Sequence, residues 1–247
     1  MSNNPVAPPP WPAEDFSVYG PVETRPVGKV QAYVGRAMHR NWVSIPHVTH
    51  HDDADITDFE QRRKEWNSAH PTQKRSLLSA LVKASVAALQ RYPAFNVSLS
   101  ADGATLFAKQ YFHIGVAVDV PSGLLVPVLR DCDKKSIDQI TDEVTRISEK
   151  ARTKGLALAE MSGGCITLSS LGHIGGTGFT PIINAPEVAI LGICRTRQQF
   201  VPDAESRPVL RQLLPLSLSY DHRVINGADA ARFTRAIAEW LEQYNFT

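Results

Sequence analysis

Apolar residues recur at helical spacing in some stretches of the chain, and in others they run together or alternate with polar ones. From Val27 onward, Val30, Tyr33, Val34, Ala37, Met38 and Trp42 keep a 3.6-residue period, which predicts a helix. Ile45-Pro46 ends it, because proline disfavours a helical conformation in the residue before it. A strand-like run follows from His47 to about Ile56, and Thr57 is placed to cap a short charged helix over residues 58–67. Residues 77–89 are apolar on nearly every face, as in a buried helix, and Tyr92-Pro93 closes that segment. Ser136-x-x-Gln139 reads as a capping box that opens a helix with the stripe Ile137, Ile140, Val144, Ile147 and Ala151. The last helix carries Ala230, Phe233, Ile237, Trp240 and Leu241.

Strands fill the intervals. Residues 95–130 read as strands broken by the turns Ala101-Asp102-Gly103 and Pro121-Ser122-Gly123. Residues 165–169 form a strand after Gly163-Gly164, and a glycine-rich loop occupies residues 172–178. The continuous apolar run at 188–193 suits a fully buried strand. Leu214, Leu216, Leu218 and Tyr220 alternate with Pro215, Ser217 and Ser219, which predicts a half-buried strand leading straight into Asp221-His222-Arg223. There is no internal repeat and no regular strand–helix–strand alternation, so the class is mixed α/β or α+β.

Composition narrows the function. The 247 residues suffice for one large domain or two small ones. Basic and acidic residues number 26 and 25, a net charge of +1, so no chain-wide electrostatic footprint for nucleic acid exists. No stretch approaches the roughly 20 apolar residues of a membrane span. The first residues lack the basic and apolar regions of a secretory signal. Cys132, Cys165 and Cys194 are odd in number and form no CxxC pair, which suits a reducing, cytoplasmic setting. Seven of the 17 prolines lie in the first 26 residues. Residues 1–13 therefore read as the remnant of a stiff proline-rich linker, and residues 14–247 as a globular domain led in by an arm.

The densest chemical signal is Ser219-Tyr-Asp-His-Arg-Val-Ile-Asn-Gly227. A strand ends, a histidine occupies the turn, and a glycine opens a helix, an arrangement that fixes His222 as a general base requires. The segment His47–Asp55 holds three histidines and three aspartates, but strand alternation puts His47 and His51 on one face and His50 and Asp52 on the other. No HExxH spacing is present, so no metal site is expected. A serine hydrolase is disfavoured by the absence of a GxSxG elbow.

The 219–227 segment resembles the His-x-x-x-Asp-Gly active-site motif of the dihydrolipoamide acyltransferases, the core components of 2-oxo acid dehydrogenase complexes. Residues 168–192 look like the family's second signature, and His39-Arg-Asn-Trp-x-x-Ile-Pro-His-Val-Thr49 and Gly123-Leu-Leu-Val-Pro-Val128 match as well. The likeness covers about residues 15–247, and the Ser-Ser-Leu-Gly-His version looks most like the acetyl-transferring, pyruvate-linked branch of bacterial enzymes.

The resemblance implies a chloramphenicol acetyltransferase-like fold, a mixed sheet flanked by helices, and acetyl transfer between S-acetyldihydrolipoyl-lysine and coenzyme A. The lipoyl group would be carried on a domain absent from this chain. His222 takes the role of general base on the thiol, and Ser169, with Ser170 beside it, that of oxyanion donor. Asn226 stands where many members have aspartate and takes a supporting role, while Asp221 and Arg223 brace the turn. Arg63, in the cluster Arg62-Arg63-Lys64, falls where members contact the cofactor's phosphates. A homotrimer is implied, with His222 and Ser169 facing each other across a subunit boundary. Further assembly into a cubic or larger core would engage lipoyl domains and the dehydrogenase components of the complex. The alternatives are the same fold acting on a succinyl or branched-chain acyl group, or a non-catalytic assembly core.

Overall fold

The computed structural model describes residues 12–121 and 123–246. The linker reading of the first residues therefore lies outside the described residues up to residue 11, as does Ser122 of the second predicted turn.

In chain order the elements are α1 (Lys29–Ser44), β1 (His47–Asp55), α2 (Thr57–Ala69), α3 (Leu77–Arg91), β2 (Val97–Leu99), β3 (Leu106–Ala108), β4 (Ile114–Val116), β5 (Val118–Val120), β6 (Gly123–Leu125), β7 (Val128–Leu129), α4 (Ile137–Thr153), β8 (Ile166–Ser170), β9 (Ala189–Ile193), β10 (Arg197–Pro202), β11 (Pro208–Asp221) and α5 (Gly227–Gln243). The main sheet runs β1-β11-β9-β8-β4-β7, with β10 pairing along the first half of β11. Strands β4, β8 and β9 are parallel and the other pairs antiparallel, so the sheet is mixed. Two small hairpins, β2–β3 and β5–β6, stand outside it.

The expected strands around the second turn are split. Val116 donates its N–H to the carbonyl of Pro127, and Ala117 donates to Leu168, so β4 stays in the main sheet while β5 leaves it to pair with β6. Pro127 has no N–H to continue a ladder. Thr57 also departs from expectation. Ile56 is the residue that precedes α2, and the Thr57 hydroxyl donates to Asp55 while accepting from the N–H of Gln212. It ties the helix start to β11 instead of capping. The capping box at Ser136 and Gln139 is present with both reciprocal bonds, at 3.2 and 2.9 Å.

One sheet face is apolar. Ala54, Leu214, Leu216, Leu218, Tyr220, Ala189, Leu191, Ile166, Leu168, Ile114 and Val116 join residues of α3, α4 and α5 in a single core. Phe95 stacks on Phe233 of α5 with ring centroids 4.0 Å apart. At ~25 cal/mol per Å2, each such side chain taken from water contributes about 1.5–3 kcal/mol.

The other face is polar and is nonetheless covered, which corrects the half-buried reading of β11: every residue from Leu213 to Asp221 is buried. Ser217 and Ser219 are both 0 % exposed. Their hydroxyls are satisfied across the ladder, Ser217 with His51 Nδ1 at 2.9 Å and Ser219 with Thr49 Oγ1 at 2.7 Å. The loop between β8 and β9 lies over this face, with Phe179 set against Gly192 and Ile183 packed on Ile45 and Ile190.

The N-terminal part behaves differently. No residue from 12 to 28 is buried, and Val30, Tyr33 and Trp42 of α1 are exposed. The helix forms where its period predicts, but its apolar residues find no core in this chain. It is held at its end by Asn41, whose amide donates to the carbonyl of Ile183 at 2.9 Å.

A Cβ on Gly192 would approach the Phe179 ring to 2.7 Å. Gly192→Ala should therefore destabilise by about 1–3 kcal/mol. Adding Phe179→Leu should return part of that loss, and denaturant titration of both variants checks it.

Candidate active site

The turn after β11 is fastened at every residue. Asp221 donates its N–H to Val188 and His222 donates to the carbonyl of Pro46, while Val224 and Ile225 donate to the carbonyl of Asp221. The Asp221 carboxylate is buried and accepts from the Arg223 N–H at 3.0 Å, from Nε at 2.9 Å and from Nη2 at 2.6 Å. Breaking one side of such a pair would strand a buried charge, the costly outcome for an ion pair. His222 is thus presented from a rigid turn with an exposed ring, tilted against Tyr220 at 5.8 Å between centroids. Among the described residues no group hydrogen-bonds its imidazole.

Asn226 does not reach His222; it is the N-cap of α5. Its Oδ1 accepts from the Asp229 N–H at 2.9 Å, and its Nδ2 donates to Asp229 Oδ2 at 2.7 Å. The second bond explains locally why an amide serves here. A carboxylate would keep the cap but face the Asp229 carboxylate with nothing to donate.

Ser169 is half-buried near the end of β8. Register places it beside Gly192 on β9, then Ser217 on β11, then His51 on β1, so all four share the polar face. Ser170 turns to the opposite face, beside a cleft lined by Leu77, Leu78 and Leu81 of α3. Ser169 and His222 belong to the same sheet but do not meet in one chain. They are separated by two strand spacings across and five residues along the chain from Ser217, which amounts to about 19 Å between Cα positions. A hydroxyl and an imidazole cannot span that.

The β1 histidines are engaged structurally. His47 Nδ1 lies 2.8 Å from the carbonyl of Ile45, and its Nε2 accepts from the Ile183 N–H at 3.0 Å, which fixes the tautomer. Asp52, on the other face, pairs with Arg235 of α5. The ligand types in this segment are therefore split between faces, and among the described residues no cluster of three or more His, Cys, Asp or Glu is arranged to hold a metal. Of the basic cluster, Arg62 donates to the carbonyls of Tyr244 and Glu242. Arg63 grips the buried Glu60 through Nε and Nη2, both at 2.8 Å, and donates Nη1 to Arg75 O at 3.1 Å. A guanidinium has five N–H donors, so two of Arg63's remain.

One group was not singled out from sequence. Glu187, just before β9, is 4 % exposed. Its Oε2 accepts from the Thr167 hydroxyl at 2.7 Å. Burial pushes its carboxyl up to about 7, against smaller opposing effects from the Thr167 hydrogen bond and the positive charge of Lys109. The visible signal was an acid set between a proline and a run of apolar strand residues.

The catalytic-domain model of the 2-oxoacid dehydrogenases acyltransferase family matches residues 19–247. The chain belongs to this acyltransferase family. Named dihydrolipoyllysine-residue acetyltransferase components of pyruvate dehydrogenase complex are 48 % identical in Cupriavidus necator and 50 % identical in Pseudomonas aeruginosa, over 95 % and 94 % of this chain. The chain spans 42 % and 43 % of those two relatives, less than half their length. A solved structure of Azotobacter vinelandii dihydrolipoamide acetyltransferase, studied for the role of a serine, a histidine and an asparagine in its catalytic mechanism, superposes with a TM-score of 0.91 at 47 % identity. That match covers 95 % of this chain and 97 % of the other. The cubic core of the pyruvate dehydrogenase multienzyme complex also gives 0.91, at 48 % identity and the same coverage. Chloramphenicol acetyltransferase, at 14 % identity and a TM-score of 0.54 over 83 % of this chain and 94 % of its own, shares the fold expected from the sequence. Acyltransferases of this family thus include relatives that match in both fold and sequence.

Two predictions follow from the site. Asn226→Ala should cost about 1 kcal/mol by removing the cap, and Asn226→Asp should also lose stability because it sets a second carboxylate against that of Asp229; thermal melts of both variants check this. Glu187 is raised from an ordinary 4.5 to about 7. Its contribution is therefore fully present below pH 4.5 and lost as pH rises through 7. Glu187→Gln should accordingly be about as stable as the parent at pH 4 and more stable at pH 8 by up to about 3 kcal/mol, read by chemical unfolding at both values.

Proposed function

We propose that the chain transfers an acetyl group between S-acetyldihydrolipoyl-lysine and coenzyme A, and that it works as a homotrimer within a larger core. The observation that carries this is the pairing of two half-sites in one chain. His222 is exposed on a rigid turn, and Ser169 stands on the sheet face about 19 Å away. Each half is held in place and neither is complete, so the site closes only when a second copy brings its His222 to this Ser169. The exposed apolar residues of the arm and α1, including Phe16, Tyr19, Tyr33 and Trp42, fit the same reading as surface for a neighbouring copy.

The chemistry follows from the groups. A thiol with an ordinary pKa near 8.5 is mostly protonated at neutral pH. The His222 imidazole takes that proton as sulfur attacks the thioester carbonyl. The Ser169 hydroxyl donates to the oxyanion that forms, and collapse expels the other thiolate, which takes the proton back from the imidazolium. Asp221 and Arg223 hold the turn, and Asn226 sets the start of α5 behind it. The two N–H groups left on Arg63 are the ones offered to a coenzyme A phosphate. Lipoyl domains and the dehydrogenase components are the macromolecular partners. Three buried, unpaired cysteines suit a cytoplasmic setting.

His222→Ala should lower turnover of acetyl-CoA with dihydrolipoamide by about 10²–10⁴-fold, and Ser169→Ala by about 10²–10³-fold, with native mass unchanged. Ser170→Ala should leave the rate near the parent's. Co-assembled His222→Ala and Ser169→Ala chains should regain activity that neither has alone, because some sites then combine one intact half from each. Undiminished turnover in His222→Ala, or a faster rate with succinyl-CoA or a branched acyl-CoA, would overturn the reading.

A further inference from the structure

We infer that Glu187, acting through Thr167, is a positioning residue for Ser169. This rests on the reading of Ser169 as the oxyanion donor. Thr167 stands two residues before Ser169 on β8 and points to the same sheet face. It is 1 % exposed, its hydroxyl donates to Glu187 at 2.7 Å, and it lies 3.5 Å from the Asn184 amide. Both partners come from the end of the loop that joins β8 to β9. The same loop sets Phe179 against Gly192, the residue directly beside Ser169 in the sheet. The loop is therefore pinned on two sides of Ser169, by a hydrogen bond at Thr167 and by ring contact at Gly192.

The room for the Thr167–Glu187 pair is cleared by two glycines. A Cβ on Gly164 would run into Glu187 Oε1, and one on Gly115 would come within 2.7 Å of Thr167 Oγ1. An apolar side chain at 187 would fill the space with less desolvation, but it would leave the buried Thr167 O–H without its acceptor. The acid is what makes the link directional.

The charged and titratable surroundings are few. Lys109, from the connection between β3 and β4, spends its ammonium on the carbonyl of Gly164 at 3.0 Å, and burial lowers its pKa. Cys165, at the entry to β8, is pushed up by burial. Arg40, Asp221 and Arg223 line the adjoining cleft together with Glu187. Burial raises the Glu187 carboxyl to about 7 while the Thr167 hydrogen bond works the other way, so ionisation of Glu187 tightens its bond to Thr167 at the cost of burying a charge.

The test uses the whole chain in its native assembly, with acetyl-CoA and dihydrolipoamide as substrates. Thr167→Val should lower kcat about 10-fold while both KM values stay within about 2-fold, and Glu187→Ala should behave alike. Thr167→Val in a Ser169→Ala background should cost nothing further, because Thr167 acts only through Ser169. Glu187→Gln, which keeps an acceptor for Thr167 but cannot ionise, should restore most of the rate and change the pH profile of kcat around neutrality. Losses in Thr167→Val and Ser169→Ala that multiply would overturn the inference, as would an unchanged kcat in Thr167→Val. Should Thr167→Val fail to assemble by native mass, a pH profile of Glu187→Gln identical to the parent's would overturn it. A normal rate in Ser169→Ala would instead sink the oxyanion reading on which it rests.

Discussion

The structure depends on the burial of β11 on both sides. A strand carrying serine and aspartate at alternate positions can be central only if each of those groups finds a partner within the sheet or just above it. Thr49, His51 and Arg223 supply those partners for Ser219, Ser217 and Asp221. An unpartnered hydroxyl at either serine would cost about 1–3 kcal/mol, a large fraction of a typical domain's margin. The polar ladder between β1 and β11 is thus a condition of the fold. It also places the two candidate groups, since β11 ends on the turn that presents His222 and its neighbour across β9 is the strand that carries Ser169.

The two faces of the sheet divide the work. The apolar face anchors α3, α4 and α5 and fixes the twist and register. The polar face carries side chains with specific hydrogen-bond needs, covered by a loop whose backbone N–H groups at Phe179 and Ile183 donate down into it. Small residues recur wherever loop and sheet approach closely: Gly115, Gly164, Gly178 and Gly192 all sit within van der Waals reach of such side chains.

Much of this was legible from the sequence. Periodicity located α1, α3, α4 and α5, the capping box was read with its residues, and the strand-to-turn placement of His222 needed only alternation followed by a charged turn. Other features were hidden for physical reasons. The serines of β11 read as solvent-facing because hydroxyl and water are indistinguishable in a pattern of apolar and polar positions. The break between β4 and β5 comes from Pro127 accepting where it cannot donate. The structural engagement of Arg63 was hidden because its partner Glu60 is an ordinary i−3 acid until α2 is seen to bury it. Glu187 could not be weighted without knowing that two distant glycines make room for it.

The exposed arm has a consequence for how such a chain lives. Phe16, Val18, Tyr19, Val22, Val27 and Val30 present apolar surface along a segment that buries none of its own residues. Until something covers that surface, a newly made chain is folded in its body and adhesive at its lead-in. Its persistence is then a matter of concentration: the faster copies meet, the shorter the interval in which that surface can bind something else.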